Sequence, residues 1–257
     1  MLTIFRRERV IVSACLVALV LLAWLYLLHM NATMVMSGMN MPGMSMVNTQ
    51  PWDATAVLLL FVMWTVMMVA MMAPSAAPMI LTFLTVNQNR SAAQRRLMPT
   101  GIFLLGYLTV WTAYSAVATL AEWGLHRAAL LSTTMSATSA ALNGALLILA
   151  GLFQLTPIKR ACLQGCRSPL SFLMSEWREG AAGVFIMGLR HGAYCVGCCW
   201  ILMALLFVTG VMNLFWVAAL ALLVMAEKIL PKGEIFASIA GIGLLVAGIV
   251  RIAEVWR

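Results

Sequence analysis

Long apolar segments constrain this chain more than any other feature. Seven stretches are close to the roughly 20 apolar residues that a helix needs to cross a bilayer. They lie near residues 10–29, 54–73, 100–121, 138–156, 190–209, 213–230 and 235–253. Only 9% of the 257 residues are charged, whereas about 25% are charged in a typical soluble domain. The sequence therefore predicts an all-α, polytopic integral membrane protein with about seven transmembrane helices.

Basic residues are concentrated in alternate connections between these segments. Twelve of the sixteen Lys and Arg residues share one side of the membrane if the N-terminus is cytoplasmic. Because basic loops remain in the cytoplasm, we expect a cytoplasmic N-terminus and a multi-pass protein of the bacterial inner membrane. A six-helix variant with an interfacial last helix stays open. The same loops explain the net charge of +8, and no nucleic-acid motif accompanies it, so we expect the lipid bilayer and no nucleic acid as a partner.

One membrane domain, residues 1–257, accounts for the chain, and two connections within it are long. Residues 30–53 are predicted to form a Met-rich periplasmic loop. Residues 157–189 are predicted to form a cytoplasmic loop that contains a Cys-x3-Cys motif. Part of the second loop, "SPLSFLMSEWREG", is expected to lie along the membrane surface, with Phe172, Leu173 and Trp177 as its anchors.

Methionine is concentrated in the first loop. The stretch "MNATMVMSGMNMPGMSM", residues 30–46, holds seven of the 21 methionines, and its Gly and Pro residues predict that it is not a regular helix. Thioethers are soft ligands that select Cu(I) without needing deprotonation, so the loop is a candidate for metal capture. The candidate ligands are Met34, Met36, Met39, Met41, Met44 and Met46. Methionines that only pack on the bilayer are the alternative.

The second apolar segment carries a methionine stripe, "FVMWTVMMVAMMAPSAAPM". Met63, Met67 and Met71 recur every fourth residue and so share one helical face, and Met72 lies on the neighbouring face. The two prolines predict a kink or an end of the helix near the cytoplasm. These methionines are candidate metal ligands, with ordinary core packing as the alternative.

The stretch "RHGAYCVGCCW", residues 190–200, places a histidine and three thiols in an apolar segment. His191, Cys195, Cys198 and Cys199 stand at i, i+4, i+7 and i+8, so they share one helical face. We expect His191 near the cytoplasmic boundary, the thiols one and two turns deeper, and Met67 level with Cys195. Such a set of Cys, His and Met ligands suits Cu(I) best and zinc next.

Cys162 and Cys166 add a second thiol pair in the cytoplasmic segment, flanked by basic residues that favour thiolates. They are candidates for a separate metal site or for ligands that join the His191 set. The cytoplasm keeps thiols reduced, which favours metal or redox use over structural disulfides. Arg190 is expected to favour the thiolate form of the neighbouring thiols. Two alternatives stay open, a redox pair formed by Cys195 and Cys198, and cysteines that only pack.

Four blocks of the sequence resemble a bacterial family of predicted metal-binding integral membrane proteins. The blocks are "MMVAMMAPS", "TPIKRACLQGCRSP", "GLRHGAYCVGCCWILM" and "GVMNLFWVAALALLVMAEKILPKG", in that order. The resemblance runs from about residue 55 to the end and does not include the Met-rich loop. It implies metal binding, with the His191 and cysteine sets as the natural ligands, and it implies no particular activity.

Together these features predict an inner-membrane protein that binds a soft metal ion, most simply Cu(I), for uptake or for delivery to metalloenzyme assembly. A metallochaperone or a metalloenzyme assembly protein would be its partner. No catalytic residue is predicted, and no ATP-binding motif is present in the sequence. The alternatives are a membrane thiol–disulfide redox protein and an accessory subunit of a membrane complex with structural cysteines.

Overall fold

A computed structural model describes residues 2–39, 53–90, 97–128 and 140–255 of the chain. Helix makes up 93% of these residues, and none of them is in a strand. The helices are α1 Leu2–Met39, α2 Ala54–Arg90, α3 Leu97–Arg127, α4 Ala140–Leu155, α5 Pro157–Arg167, α6 Pro169–Glu176, α7 Gly180–Ala204, α8 Leu206–Thr209, α9 Leu214–Ile229 and α10 Gly233–Val255. The predicted all-α class is confirmed.

Five of the described helical segments are long and apolar enough to cross a membrane: Arg7–Thr33, Ala54–Asn87, Leu97–Arg127, Gly180–Thr209 and Gly233–Glu254. A sixth is obtained if α4 and α5, which meet at a 64° bend, count as one broken span. Helix α9 has only 16 residues and falls short of this length. The count of seven and the cytoplasmic N-terminus therefore stay predictions.

Several helices are longer than the sequence predicts. Helix α1 continues to Met39, so the first ten residues of the Met-rich segment are helical and the expectation of an irregular loop is wrong for them. Helix α2 passes through both prolines and ends at Arg90, because packed neighbours stabilise a helix across a proline. Helix α7 begins at Gly180, ten residues before the predicted start.

The predicted cytoplasmic loop 157–189 contains α5 and α6. Thr156 caps α5 by accepting a hydrogen bond from the backbone N–H of Lys159, and a proline opens each of the two helices. Phe172 and Leu173 are buried against the protein, and Trp177 stacks on Phe83 of α2 at 5.8 Å. These side chains therefore anchor α6 to the helix bundle, which corrects the prediction that they anchor it to the membrane.

Glycines bring α3 and α5 close to α7, the helix that carries three of the thiols. A Cβ on Gly106 of α3 or Gly188 of α7 would collide with the backbone of the other helix. A Cβ on Gly197 of α7 would lie 3.0 Å from the sulfur of Cys162 on α5. Close approach through small residues is the usual packing of helices in membranes, where no hydrophobic effect drives association. It places α3 and α5 directly against the thiol-bearing face of α7.

Candidate metal centre

Sulfur atoms from three helices meet near the middle of the candidate span Gly180–Thr209. Cys195, Cys198 and Cys199 of α7 are buried, and at most 1% of each side chain is exposed. They lie on one face of the helix, as the spacing predicts, but Cys195 is about 22 Å from the start of α7. The early start of α7 therefore moves the thiols from the predicted cytoplasmic end to the middle of the helix.

Two pairs of sulfurs bridge neighbouring helices. The Sγ atoms of Cys198 and Cys166 are 4.0 Å apart, which joins α7 to α5. The Sγ atom of Cys199 and the Sδ atom of Met72 are also 4.0 Å apart, which joins α7 to α2. We call these four residues, together with Cys195, the sulfur cluster. The thiols of Cys198 and Cys199 both donate hydrogen bonds to the carbonyl oxygen of Cys195, at 3.1 and 2.9 Å.

The spacing of these pairs suits a shared metal ion. Two sulfurs that each lie about 2.3 Å from one ion are roughly 3.8 Å apart in tetrahedral and 4.6 Å apart in linear geometry. The observed 4.0 Å falls between these values. A disulfide requires about 2.05 Å, and all six cysteines are free. Each pair could therefore close on a soft ion with little movement.

A buried lysine, Lys228 of α9, contacts the sulfur cluster. Its Nζ atom lies 2.8 Å from the Sγ atom of Cys195 and 3.0 Å from the Oγ atom of Ser75. The hydroxyl of Tyr107 on α3 lies 3.1 Å from the same sulfur and donates to the carbonyl of Met72. An ammonium in this position compensates negative charge on the thiols in an apolar interior.

Sequence reasoning missed Lys228 and Tyr107, and it assigned the role of nearby cation to Arg190. Arg190 instead forms an ion pair with Glu176 and is half exposed, so that assignment is wrong. A signal for Lys228 was present, because it follows Glu227 directly at the end of a segment without other charges, and an ionisable residue within the membrane is by default a functional candidate.

His191 lies one helical turn before Cys195 and is surrounded by aromatic rings. The ring centroids of Phe103, Tyr107 and Phe172 are 5.6 to 6.0 Å from that of the imidazole. Its Nδ1 atom has no hydrogen-bond partner among the described residues. The histidine is thus buried beside the sulfur cluster, with one ring nitrogen still able to accept a ligand.

The methionine stripe of α2 is buried, but it meets the thiols at a different register from the predicted one. Met72 reaches Cys199, whereas we expected Met67 to be level with Cys195. Met63, Met67 and Met71 precede Met72 along α2, and none of them exposes more than 2% of its side chain. The register differs because α2 and α7 both extend beyond their predicted ends.

The capture residues of the Met-rich segment divide into two groups. Met34, Met36 and Met39 belong to the last turns of α1. Met41, Met44 and Met46 lie outside the described residues. The role of all six in metal capture stays a prediction.

A buried polar network lies next to the sulfur cluster and involves the residue before Lys228. Lys159 of α5 forms an ion pair with Glu227 at 2.6 Å, and both side chains are 1% exposed. Gln154 of α4 donates to the same carboxylate at 2.7 Å and also bonds Lys159. The network joins the bent pair α4–α5 to α9, and it therefore positions Cys166 and Lys228 relative to each other.

Replacing Lys159 with methionine is expected to lower the free energy of unfolding by about 3–5 kcal/mol, because Glu227 is left in a buried site without its partner. Unfolding in detergent micelles measures this loss. Arg251→Met is the matched control, since the pair between Arg251 and Glu254 is exposed and should contribute little. Equal losses in the two variants would contradict a structural role for the network.

The described residues contain no group of three or more His, Cys, Asp and Glu side chains arranged as ligands of one metal ion. The sulfur donors are assembled in pairs, and one pair uses a thioether. A soft ion that accepts few ligands fits this donor set better than an ion that needs a complete tetrahedral shell.

The fold is that of a helical membrane protein, and its interior holds a cluster of thiols, a thioether and a lysine. The chain belongs to the PpoB2 family, described as copper chaperone, which it matches over residues 61–251. The matched range contains the whole sulfur cluster with Lys228 and Tyr107, and a copper-related role follows from it. No curated protein and no solved structure matches the chain.

Proposed function

We propose that this protein binds Cu(I) at the sulfur cluster within the bacterial inner membrane and delivers it to metalloenzyme assembly. The observation that carries the proposal is the pairing of Cys198 with Cys166, and of Cys199 with Met72, at 4.0 Å beside a buried lysine. Thiolates and thioethers are the ligands that select Cu(I), and the family description supports copper as the cargo.

Charge balance supports a monovalent ion at this site. Cu(I) bound by two thiolates carries one net negative charge, which is costly to bury in an apolar interior. The ammonium of Lys228, 2.8 Å from Cys195, neutralises it. A copper-loaded cluster with Lys228 is therefore electrically neutral, and the membrane interior tolerates a neutral site best.

The cysteines of α5 offer a route for release. Cys195, Cys198 and Cys199 are fully buried, whereas Cys162 and Cys166 are partly exposed. Both lie on the short helix after the bend between α4 and α5. Interrupted helices often line ion sites in membrane proteins, because their free helix ends and unwound backbone supply polar groups within the bundle. We propose that an ion passes from Cys198 to Cys166 and then to Cys162, where an acceptor protein collects it by ligand exchange.

Copper analysis of the purified protein tests the proposal. Wild-type protein loaded with Cu(I) under anaerobic conditions and freed of excess metal should retain stoichiometric copper. The combined variant Cys195→Ser, Cys198→Ser and Cys199→Ser should retain little. Cys15→Ser is the control, because Cys15 is exposed on α1 and outside the cluster. Wild-type protein without bound copper would reject the proposed function.

A thiol–disulfide redox function is the second candidate, and the 4.0 Å distance between Cys166 and Cys198 favours it over purely structural cysteines. It requires a disulfide that forms and opens during growth. Alkylation trapping of cells grown with and without copper decides the matter. If every thiol stays alkylatable under all conditions, the redox candidate fails and the copper proposal is unaffected.

A further inference from the structure

One further buried ionisable residue lies far from the sulfur cluster. Glu122 of α3 has no exposed surface, and its Oε2 atom accepts a hydrogen bond from the indole N–H of Trp64 at 2.5 Å. Its Oε1 atom has no hydrogen-bond partner among the described residues. A carboxyl group buried inside a helical membrane bundle has to be neutralised by a proton or by a cation, and such residues often mark ion pathways.

Thioethers lie on the same face of α2 as Trp64, the partner of Glu122. Met67 and Met68 follow Trp64 by three and four residues, so they share its helical face, and both are buried. The ring of Trp64 packs on Phe207 of α8, with centroids 5.3 Å apart, which holds the indole in place. The hydrogen bond from Trp64 therefore keeps the carboxyl group of Glu122 beside the methionine face.

A line of buried side chains connects this region to the sulfur cluster. Along α3, residues Tyr107, Trp111, Ser115, Thr119 and Glu122 are buried and recur every three or four residues. The two ends are about 22 Å apart along α3, and Trp64 is about 12 Å from Met72 along α2. Glu122 is thus remote from the thiols, but it lies on the buried interface between α2 and α3 that leads to them.

We propose that Glu122, Met67 and Met68 form a second site for a soft monovalent cation, through which Cu(I) travels to the sulfur cluster. The inference rests on the proposed function. Cu(I) held by neutral thioethers keeps its positive charge, and the carboxylate of Glu122 supplies the matching negative charge. The proton that neutralises the empty carboxyl group leaves to bulk water as the cation binds, so the buried charge stays constant. In the predicted topology Glu122 lies near the outer end of α3.

The test uses full-length protein whose sulfur cluster is disabled by Cys166→Ser, Cys195→Ser, Cys198→Ser and Cys199→Ser. Ag(I), a redox-stable stand-in for Cu(I), is titrated into this protein with and without Glu122→Gln. Glutamine keeps the size of the side chain and can still accept the hydrogen bond from Trp64. We expect the affinity to fall about tenfold or more on loss of the carboxylate, and to return with Glu122→Asp.

Two controls isolate the site. Glu254→Gln removes an exposed carboxylate and should leave Ag(I) binding unchanged. Met67→Leu with Met68→Leu should weaken binding, whereas Met79→Leu, on the same helix beyond the cluster, should not. The Met-rich segment is present in every variant, so it cannot produce the difference. Equal affinity with and without Glu122 overturns the inference. Copper retained by the wild-type cluster in that case leaves the proposed function standing.

Discussion

Serine at Cys166 or at Cys198 is expected to lower the affinity for Cu(I) about 100-fold, and serine at both positions is expected to lower it little further. The reason is the 4.0 Å separation of the two sulfurs, which lets them hold one ion between α5 and α7. Once one sulfur is gone, the other has lost its partner and contributes little. Competition with a Cu(I) chelator of known affinity measures each variant.

The two single variants and the double variant form a double-mutant cycle. Its matched control pairs Cys198 with Cys15, which is exposed on α1. Cys15→Ser alone should have no effect, and its effect in combination with Cys198→Ser should be additive. Additive losses for Cys166 and Cys198 would show that the two thiols act independently and would contradict a shared ion.

Lys228→Met is expected to weaken Cu(I) binding by about 2 kcal/mol or more, roughly 30-fold, because it leaves the copper-thiolate charge uncompensated in a buried site. Methionine fills the space of the lysine without its charge, so the packing changes little. Lys228→Arg should restore part of the affinity. High salt should not replace the lost charge, since buried charges are screened poorly by ions in solution.

Lys232→Met provides the control, because Lys232 is exposed just beyond α9 while Lys228 points its Nζ atom at Cys195. This control should bind Cu(I) as tightly as the wild type. Thermal unfolding of the metal-free protein separates the two roles of the lysine. If Lys228→Met lowers stability but leaves Cu(I) affinity intact, the lysine is structural and its proposed electrostatic role is wrong.

Helical periodicity explains how much of the cluster could be predicted. Cys195, Cys198 and Cys199 had to share a face once α7 was recognised as a helix, and the structure places them so. How far along α7 these thiols lie could not be predicted in the same way, because that distance depends on where the helix begins. Helix α7 gains ten residues at its start through Gly180, whose φ of +76° lets the chain turn into the helix after α6.

The apolar segments and the helical spacing of the soft side chains are properties of the sequence by itself, and they determined the helical membrane class and the thiol face of α7. The partners of those thiols were decided only by the tertiary structure. Met72, Cys166 and Lys228 come from three other helices. Their meeting depends on how closely the helices approach, and glycines such as Gly188 and Gly197 set that approach. Local periodicity determines which side chains share a helix face, but packing between helices decides what that face meets.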